Sequence, residues 1–350
     1  MGLQLKVSSA RSNLNVNFLN VLEKTIPQRT PVWLMRQAGR FLPEYQGLKK
    51  NFSMHQLFYE KELIKKITLM PLNRFDLDAA IIFSDILLPL EALGSKIVLE
   101  HQKAPQVIRS EQEKEFEIRS CESLFSFLYE AIEDLTAFLS VPLIGFCGGP
   151  LTLLTYLFPE KKDNGDFHGI KRWHYQNRSE LKMMIDKITI VLIEHLKLQI
   201  KAGCQVIQIF DSWAGRFPQE LFNEYAFLPL KKIYQALKPL AVPIIYFSRN
   251  LGIHQEVLPS LSADAISIDS SINFQKGFSF NKIIQGTFDP ALLLTTPSII
   301  KDEILKKAFD IPKNLWIGNL GHGVLPETPI ENVHAFIDTI HALPSSTWRQ

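Results

Sequence analysis

Two arginines four residues apart, Arg36 and Arg40, occupy a glycine-bearing turn inside Pro31-Val-Trp-Leu-Met-Arg-Gln-Ala-Gly-Arg-Phe-Leu-Pro-Glu-Tyr45. Planar guanidinium forks match carboxylates, so the pair reads as an anion clamp, with Lys49 and Lys50 a few residues on. At this spacing both would lie on one side of a helical turn. They also suit structural ion pairs, although two such charges in one turn are costly without a ligand. Asp85 follows the apolar run Ala79-Ala-Ile-Ile-Phe83, where a carboxylate needs donors to stay charged, from a ligand or from a segment it caps. Asp211 and Ser212 are equally apt as helix caps and as site residues. Tyr156, at an apolar helix start, reads as core. His322 lies between Gly321 and Gly323, whose small size lets a ligand come close. The remaining histidines show no metal spacing.

These residues need elements to bring them together. Short apolar runs bounded by polar residues, the pattern of strands buried on both faces, fall at Val32–Met35, 79–83, 143–146, 205–210, 243–247, 265–268, 282–285 and 315–318. Helical patterns fall at about 18–24, 61–75, 123–139, 151–158, 179–202, 220–237, 255–261, 297–309 and 330–341. Residues 86–118 break the rhythm: Lys96-Ile-Val-Leu-Glu100 and Gln106-Val-Ile108 flank Pro105 and suggest a hairpin excursion after the second strand. The polar stretch 160–166 reads as a surface loop, and residues 1–20 as a mobile start to a single domain spanning 1–350. Eight strands alternating with helices fit a closed (β/α)8 TIM barrel. An open doubly wound sheet is the alternative, but no GxGxxG or GxxxxGK[ST] follows any strand. In a barrel, the turns bearing Arg36 and Arg40, Asp85, Gly148-Gly149-Pro150, Asp211-Ser212, Gly286 to Pro290 and Gly321-His-Gly323 share the catalytic rim.

Composition sets the outer limits. With 46% hydrophobic and 21% charged residues among 350, the chain has the make-up of a packed globular protein. A net charge of +2 supplies no field for nucleic acid, so anion recognition must be local. Cys121, Cys147 and Cys204 have no CxxC spacing and read as reduced thiols, not as a disulfide framework or metal site. No signal peptide, myristoylation signal or membrane-length apolar run is evident, so the expected setting is cytoplasmic, with no membrane partner.

Four stretches together carry a family resemblance: RQAGR within Pro31–Tyr45, Ile81-Ile-Phe-Ser-Asp-Ile86, Gln208-Ile-Phe-Asp-Ser-Trp-Ala-Gly215, and Gly318-Asn-Leu-Gly-His-Gly-Val-Leu-Pro-Glu-Thr-Pro329. In order and spacing, from about residue 20 to residue 343, the chain resembles the uroporphyrinogen decarboxylases. The resemblance implies a homodimeric (β/α)8 enzyme of haem biosynthesis that uses no cofactor and no metal. Such an enzyme converts the four acetate side chains of uroporphyrinogen III to methyls, releasing CO2 and coproporphyrinogen III. Carried over by position, it makes Arg36, Gln37, Ala38, Gly39 and Arg40 the carboxylate-binding turn. Asp85 would face the pyrrole nitrogens, and Tyr156, Ser212 and His322 would be further substrate contacts. Asp85 and Arg36 are the implied catalytic pair.

Some positions depart from the family pattern. Lys49 stands where an arginine is usual, Leu151 for an aromatic, Phe247-Ser-Arg-Asn250 for a more glycine-rich turn, Ser270 for Trp and Thr287 for Asn. The nearest rival is a methyltransferase with a zinc-thiolate site, which would need a His/Cys cluster late in the chain; no cysteine follows Cys204. A further rival is an inactive relative that carries porphyrinogen without transforming it.

Overall fold

The computed structural model describes residues 14–100, 105–108, 117–158, 165–272, 282–308 and 315–343. Its frame is a curled, seven-stranded parallel sheet. The strands run in the order β1 (Ala80–Ile81), β4 (Leu143–Gly148), β5 (Val206–Phe210), β6 (Ile244–Phe247), β7 (Ala265–Ser267), β8 (Ile283–Phe288) and β9 (Trp316–Leu320). β1 pairs with β4 and each later strand with the next, and helices cover the outside, so the strands are buried on both faces and read as nearly unbroken apolar runs. The long helix Arg178–Lys201 shows how a covering element is specified: Leu181, Met184, Ile185, Ile188, Leu192, His195 and Gln199 recur three or four apart and are all buried. Within it, His195 is a core histidine, pushed down to about 3 by burial and bonded to Tyr129 and Gln199.

β2 (Lys96–Val98) and β3 (Gln106–Ile108) pair antiparallel outside this sheet. The residues linking them, 101–104, lie outside the described set, as do residues 1–13 and most of the polar stretch at 160–166.

Val32–Met35 does not form the expected strand. It makes one parallel bridge, Val32 to Gly318 of β9, with Trp33 N–H donating to the Gly318 carbonyl (3.3 Å) and Gly318 N–H to that of Pro31 (2.8 Å). On its other side, Asp78 N–H donates to the Val32 carbonyl (2.8 Å). The reason lies in side-chain acceptors that take the place of a ladder. Val32 N–H donates to Asp78 Oδ2 (2.8 Å), Leu34 N–H to Gln37 Oε1 (3.1 Å) and Met35 N–H to Asn319 Oδ1 (3.1 Å). Side chains thus satisfy three of the four N–H groups, and the bridge to β9 takes the fourth, that of Trp33.

The concave face is filled from the bottom up. Trp33, Ala79, Ile144, Val206, Ile245, Ala265, Ile283 and Ile317 form one apolar cluster with Phe18 and Val21. Those last two come from the short helix Asn17–Leu22, so residues 17–20 pack against the core, and Phe18 is wholly buried. Two residues further along their strands come Gln208, Ser267 and Gln285, each fully buried. Gln285 Nε2 donates to Ser267 Oγ (2.9 Å) and Gln208 Oε1 (3.3 Å), and Trp33 Nε1 donates to Gln285 Oε1 (2.8 Å). Beyond this amide layer, Phe146, Phe210 and Phe247 meet edge to face, with centroids 5.5 and 5.8 Å apart. The strand ends open above these rings.

Candidate active site

The arginine turn is irregular rather than helical. Arg36 adopts a left-handed backbone (φ +61°), unusual for a residue with a side chain, and the turn continues without helix until Pro43–Asn51 begins. Gly39 is required here, since a Cβ would stand 2.7 Å from the Arg36 carbonyl oxygen. Gln37 sits within the expected carboxylate-binding turn, with its side chain committed to backbone groups. It is buried; its Oε1 accepts from Leu34 N–H and its Nε2 donates to the Ala79 carbonyl (3.3 Å), so it holds the turn against β1. Ala38 packs its methyl against the outer core. Arg36 and Arg40 are left exposed toward the mouth.

The glycines around His322 also make room for the protein's own atoms. A Cβ at Gly323 would lie 2.3 Å from Arg36 Cδ, and one at Gly321 would lie 2.8 Å from Asp269 Cα. Gly323 is the groove through which the Arg36 side chain runs. Gly323→Ala should therefore displace Arg36 while sparing the fold: turnover falls sharply, whereas the melting temperature stays near the parent's, a split that activity and thermal-melt measurements read directly.

Arg36 is the electrostatic hub. The mouth's walls crowd its guanidinium despite its exposure. Burial, Arg40 and Arg249 lower its pKa, against the opposing pull of Tyr156 and Asp85. Asp85, half-buried, accepts Leu87 N–H at Oδ1 (2.8 Å). Burial pushes its carboxyl up to about 6; Glu91 adds to the rise, while the Leu87 N–H and Arg36 restrain it. Glu91 is itself anchored by the Tyr59 hydroxyl (2.8 Å). Burial also raises the Tyr156 phenol, against a hydrogen bond from the Trp213 indole, with Asp85 raising it and Arg36 lowering it. His322 donates at Nδ1 to the Gly323 carbonyl (3.2 Å) and is held below the usual imidazole range by burial first, then by Arg249. It therefore stands neutral at pH 7.

Ser212 is half-buried, and its carbonyl accepts Arg249 N–H (3.3 Å). Its neighbour Asp211 is structural and caps a helix other than its own. Fully buried, it accepts Thr152 N–H at Oδ1 (2.7 Å) and the Tyr246 hydroxyl at Oδ2 (3.1 Å), pinning the start of the helix Pro150–Leu157 that carries Tyr156. Gly149 makes this possible, because a Cβ there would fall 2.2 Å from that of Asp211. Arg36, Arg40, Asp85, Tyr156 and His322 thus gather around one opening, with Ser212 beside them through Arg249.

Residues not singled out from sequence as site members are Arg249, Trp213 and the Tyr59–Glu91 pair. The rule that drew attention to the other strand ends, chemistry just beyond an apolar run, would have found Arg249 after β6. Leu151 is fully buried, so its departure from the family alters packing and not the rim. Ser270 donates to Asp289 Oδ2 (3.3 Å), Thr287 is buried, and Lys49 is half-exposed.

Among the described residues, three groups cluster like metal ligands, His174, Glu220 and Glu224, but Arg178 pairs both carboxylates (3.1 and 2.5 Å). The three cysteines are buried, with burial raising every thiol, Cys121 up to about 12, so none supplies a ready thiolate. No described helix is long and apolar enough to cross a membrane.

Residues 13–343 match the family model described as Uroporphyrinogen decarboxylase (URO-D). A relative named uroporphyrinogen decarboxylase from Rickettsia bellii is 38% identical over 327 residues, covering 91% of this chain and 96% of its own. One of the same name from Aquifex aeolicus is 36% identical, covering 90% and 94%. Among solved structures, a methyltransferase from Methanosarcina mazei superposes with a TM-score of 0.77 at 19% identity, over 93% of this chain and 97% of that one, which speaks to the fold alone.

Proposed function

The chain belongs to the uroporphyrinogen decarboxylase family, and from that premise we propose that it converts uroporphyrinogen III to coproporphyrinogen III by removing four acetate carboxyls as CO2. The observation that carries this reading is the opposition of charge in one mouth: arginine forks at the rim and a crowded carboxylate, Asp85, among them. A macrocycle with many peripheral carboxylates and a central ring of pyrrole N–H groups has the complementary pattern.

Decarboxylation leaves an electron pair that something must accept. A pyrrole can accept it without a borrowed electron sink. Protonation of the ring carbon next to the one bearing the acetate makes an iminium-like cation. Cleavage of the acetate C–CO2 bond returns its electrons to the ring and leaves an exocyclic methylene; a second proton at that carbon gives the methyl, and loss of the first proton from the ring carbon restores the neutral pyrrole. Positive charge develops on the pyrrole N–H in the first step, so a fixed carboxylate there stabilises the transition state more than the ground state. That is the role of Asp85. Arg36 addresses the reacting acetate. Its lowered pKa also makes it a better proton donor than a free guanidinium. Arg40 grips a further carboxylate, and Tyr156, Ser212 and neutral His322 line the remaining wall. The thiols' burial and the lack of any cysteine after Cys204 count against a zinc-thiolate methyltransferase.

We take the sheet to close as a (β/α)8 barrel with Pro31–Trp33 as its first stave, supported by its hydrogen bonds to β9 on one side and Asp78 on the other. We take the working form to be a cytoplasmic homodimer, which sedimentation of the purified chain tests.

Arg40→Ala should raise KM for uroporphyrinogen roughly tenfold or more, the scale of one hydrogen bond to a charged group, with a smaller change in kcat. Arg36→Ala should lower both terms, since Arg36 also meets the reacting group. Anaerobic steady-state kinetics separates the two. Thermal destabilisation with unchanged kinetics would instead mark the pair as structural.

A further inference from the structure

A third arginine stands in the same mouth, and the reading above leaves it without a task. Arg249 follows β6, and its turn is locked on both sides. Gly215 N–H donates to Ser248 Oγ (2.9 Å), and Asn250, itself left-handed at φ +59°, donates its N–H to Asp269 Oδ2 (2.7 Å). The fit against the Ser212–Gly215 segment is tight enough that a Cβ on Gly215 would come 2.0 Å from the Arg249 carbonyl oxygen. The base of the side chain is therefore fixed.

Its charged end makes no hydrogen bond or ion pair among the described residues. Nε is shut away from water and makes no hydrogen bond. Asp269, close in the fold, spends Oδ2 on Asn250 N–H and Oδ1 on Ser271. Meanwhile the charge of Arg249 bears on both Arg36 and His322. The guanidinium lies over the Trp213 ring at 5.9 Å from its centroid. Such a cation–π contact at a partly exposed position is weaker than the cost of an unsatisfied buried donor, before like-charge repulsion is counted. Bracing Trp213 alone does not account for placing a cation here.

We propose that Arg249 binds one of the substrate's non-reacting carboxylates, as a further fork between Trp213 and His322. The inference rests on the porphyrinogen reading of this site. A carboxylate bonded through the Nη groups would offset the repulsion among the three arginines. Because the gripped group does not react, its binding acts equally on ground and transition states, and the effect belongs in KM rather than kcat.

The test is Arg249→Gln, with Arg249→Lys beside it. KM for uroporphyrinogen III should rise roughly 10- to 100-fold in the Gln variant, the scale of a charge-assisted hydrogen bond, with kcat within about threefold. The Lys variant should recover part of the loss, as a point charge without the fork. Melting temperature should hold or rise, since a repulsive charge is gone. Affinity is read separately by quenching of intrinsic fluorescence with uroporphyrin, the oxidised macrocycle with the same eight carboxylates. Equal affinity of the parent and Arg249→Gln, or a drop in melting temperature with KM unchanged, would overturn the proposal. Should the Gln variant not fold, equal affinity of Arg249→Lys and the parent would do the same. Absence of turnover by the parent would count against the decarboxylase reading instead, with the uroporphyrin titration still deciding the role of Arg249.

Discussion

Asp85→Asn should lose about 10²- to 10³-fold in kcat, the loss seen when one preorganised electrostatic stabiliser is removed. KM should change far less, because the carboxylates of the substrate are held elsewhere. The fold should not suffer. Burial holds the Asp85 carboxyl up at about 6, so its charged form is a cost to the folded chain at neutral pH. A raised carboxyl pKa means that stability is relieved as pH falls and opposed as pH rises through that value. The amide variant, which never ionises, should therefore melt at or above the parent's temperature. Lost activity with retained or raised stability is the signature of a functional carboxylate. The same value fixes an acid limb: kcat/KM of the parent should fall below pH near 6 as Asp85 takes up a proton. In Asp85→Asn the residual rate should lack that limb. A variant with near-normal kcat would remove Asp85 from the mechanism.

The second large effect concerns Asp78, at the opposite end of the sheet. Its side chain is fully buried and ties together three distant parts of the chain. Oδ2 accepts Val32 N–H (2.8 Å) and bonds His341 Nε2 (2.8 Å), while Oδ1 accepts from Arg29 (3.0 Å) and Asn15 (2.9 Å). The lead-in, the Pro31–Trp33 segment and the last helix, Ile330–His341, thus hang on one carboxylate. Asp78→Ala should cost about 3 kcal/mol, the low end for breaking a buried pair, since Arg29 keeps some access to water. Burial alone would raise the Asp78 carboxyl, but bonds from His341, Val32 N–H and Arg29 outweigh it and hold it below the usual range. A lowered carboxyl pKa gives stability that is present above the unfolded value, about 3.9, and lost as pH falls through the folded one. Denaturant melts across that range should show acid destabilisation in the parent that is smaller in Asp78→Ala.

Why some of this could be read from sequence and some not has a physical basis. Strands buried on both faces announce themselves as short apolar runs, and chemistry just past them marks the rim; Asp85, Arg36, Arg40 and His322 all declared themselves so. Asp78, Gln37 and Asn319 did not, because their work is to satisfy the N–H groups of Val32, Leu34 and Met35 across long stretches of chain. That same work is why an apolar run that looks like a strand makes only one bridge. Gln37 had the resemblance in its favour, yet its side chain points to β1; motif membership says nothing about direction. The glycines flanking His322 were legible as close approaches, but which group approaches is a tertiary fact, and it is Arg36. The helix Met54–Tyr59 carried a readable signal that periodicity alone missed, the reciprocal capping of Ser53 and Gln56. Arg249, just past β6, was open to the same rule and also lay in a departure from the family turn. Its meaning depends on Trp213, Arg36 and His322, which no local pattern connects.

The central claim is that one mouth grips carboxylates at its edge and stabilises a pyrrole cation at its centre. Incubating the purified chain anaerobically with uroporphyrinogen III, with and without a metal chelator, tests it most directly. The account predicts coproporphyrinogen III with CO2 released in step, unaffected by the chelator. Unchanged uroporphyrinogen, or turnover that stops when metal is withdrawn, would contradict it.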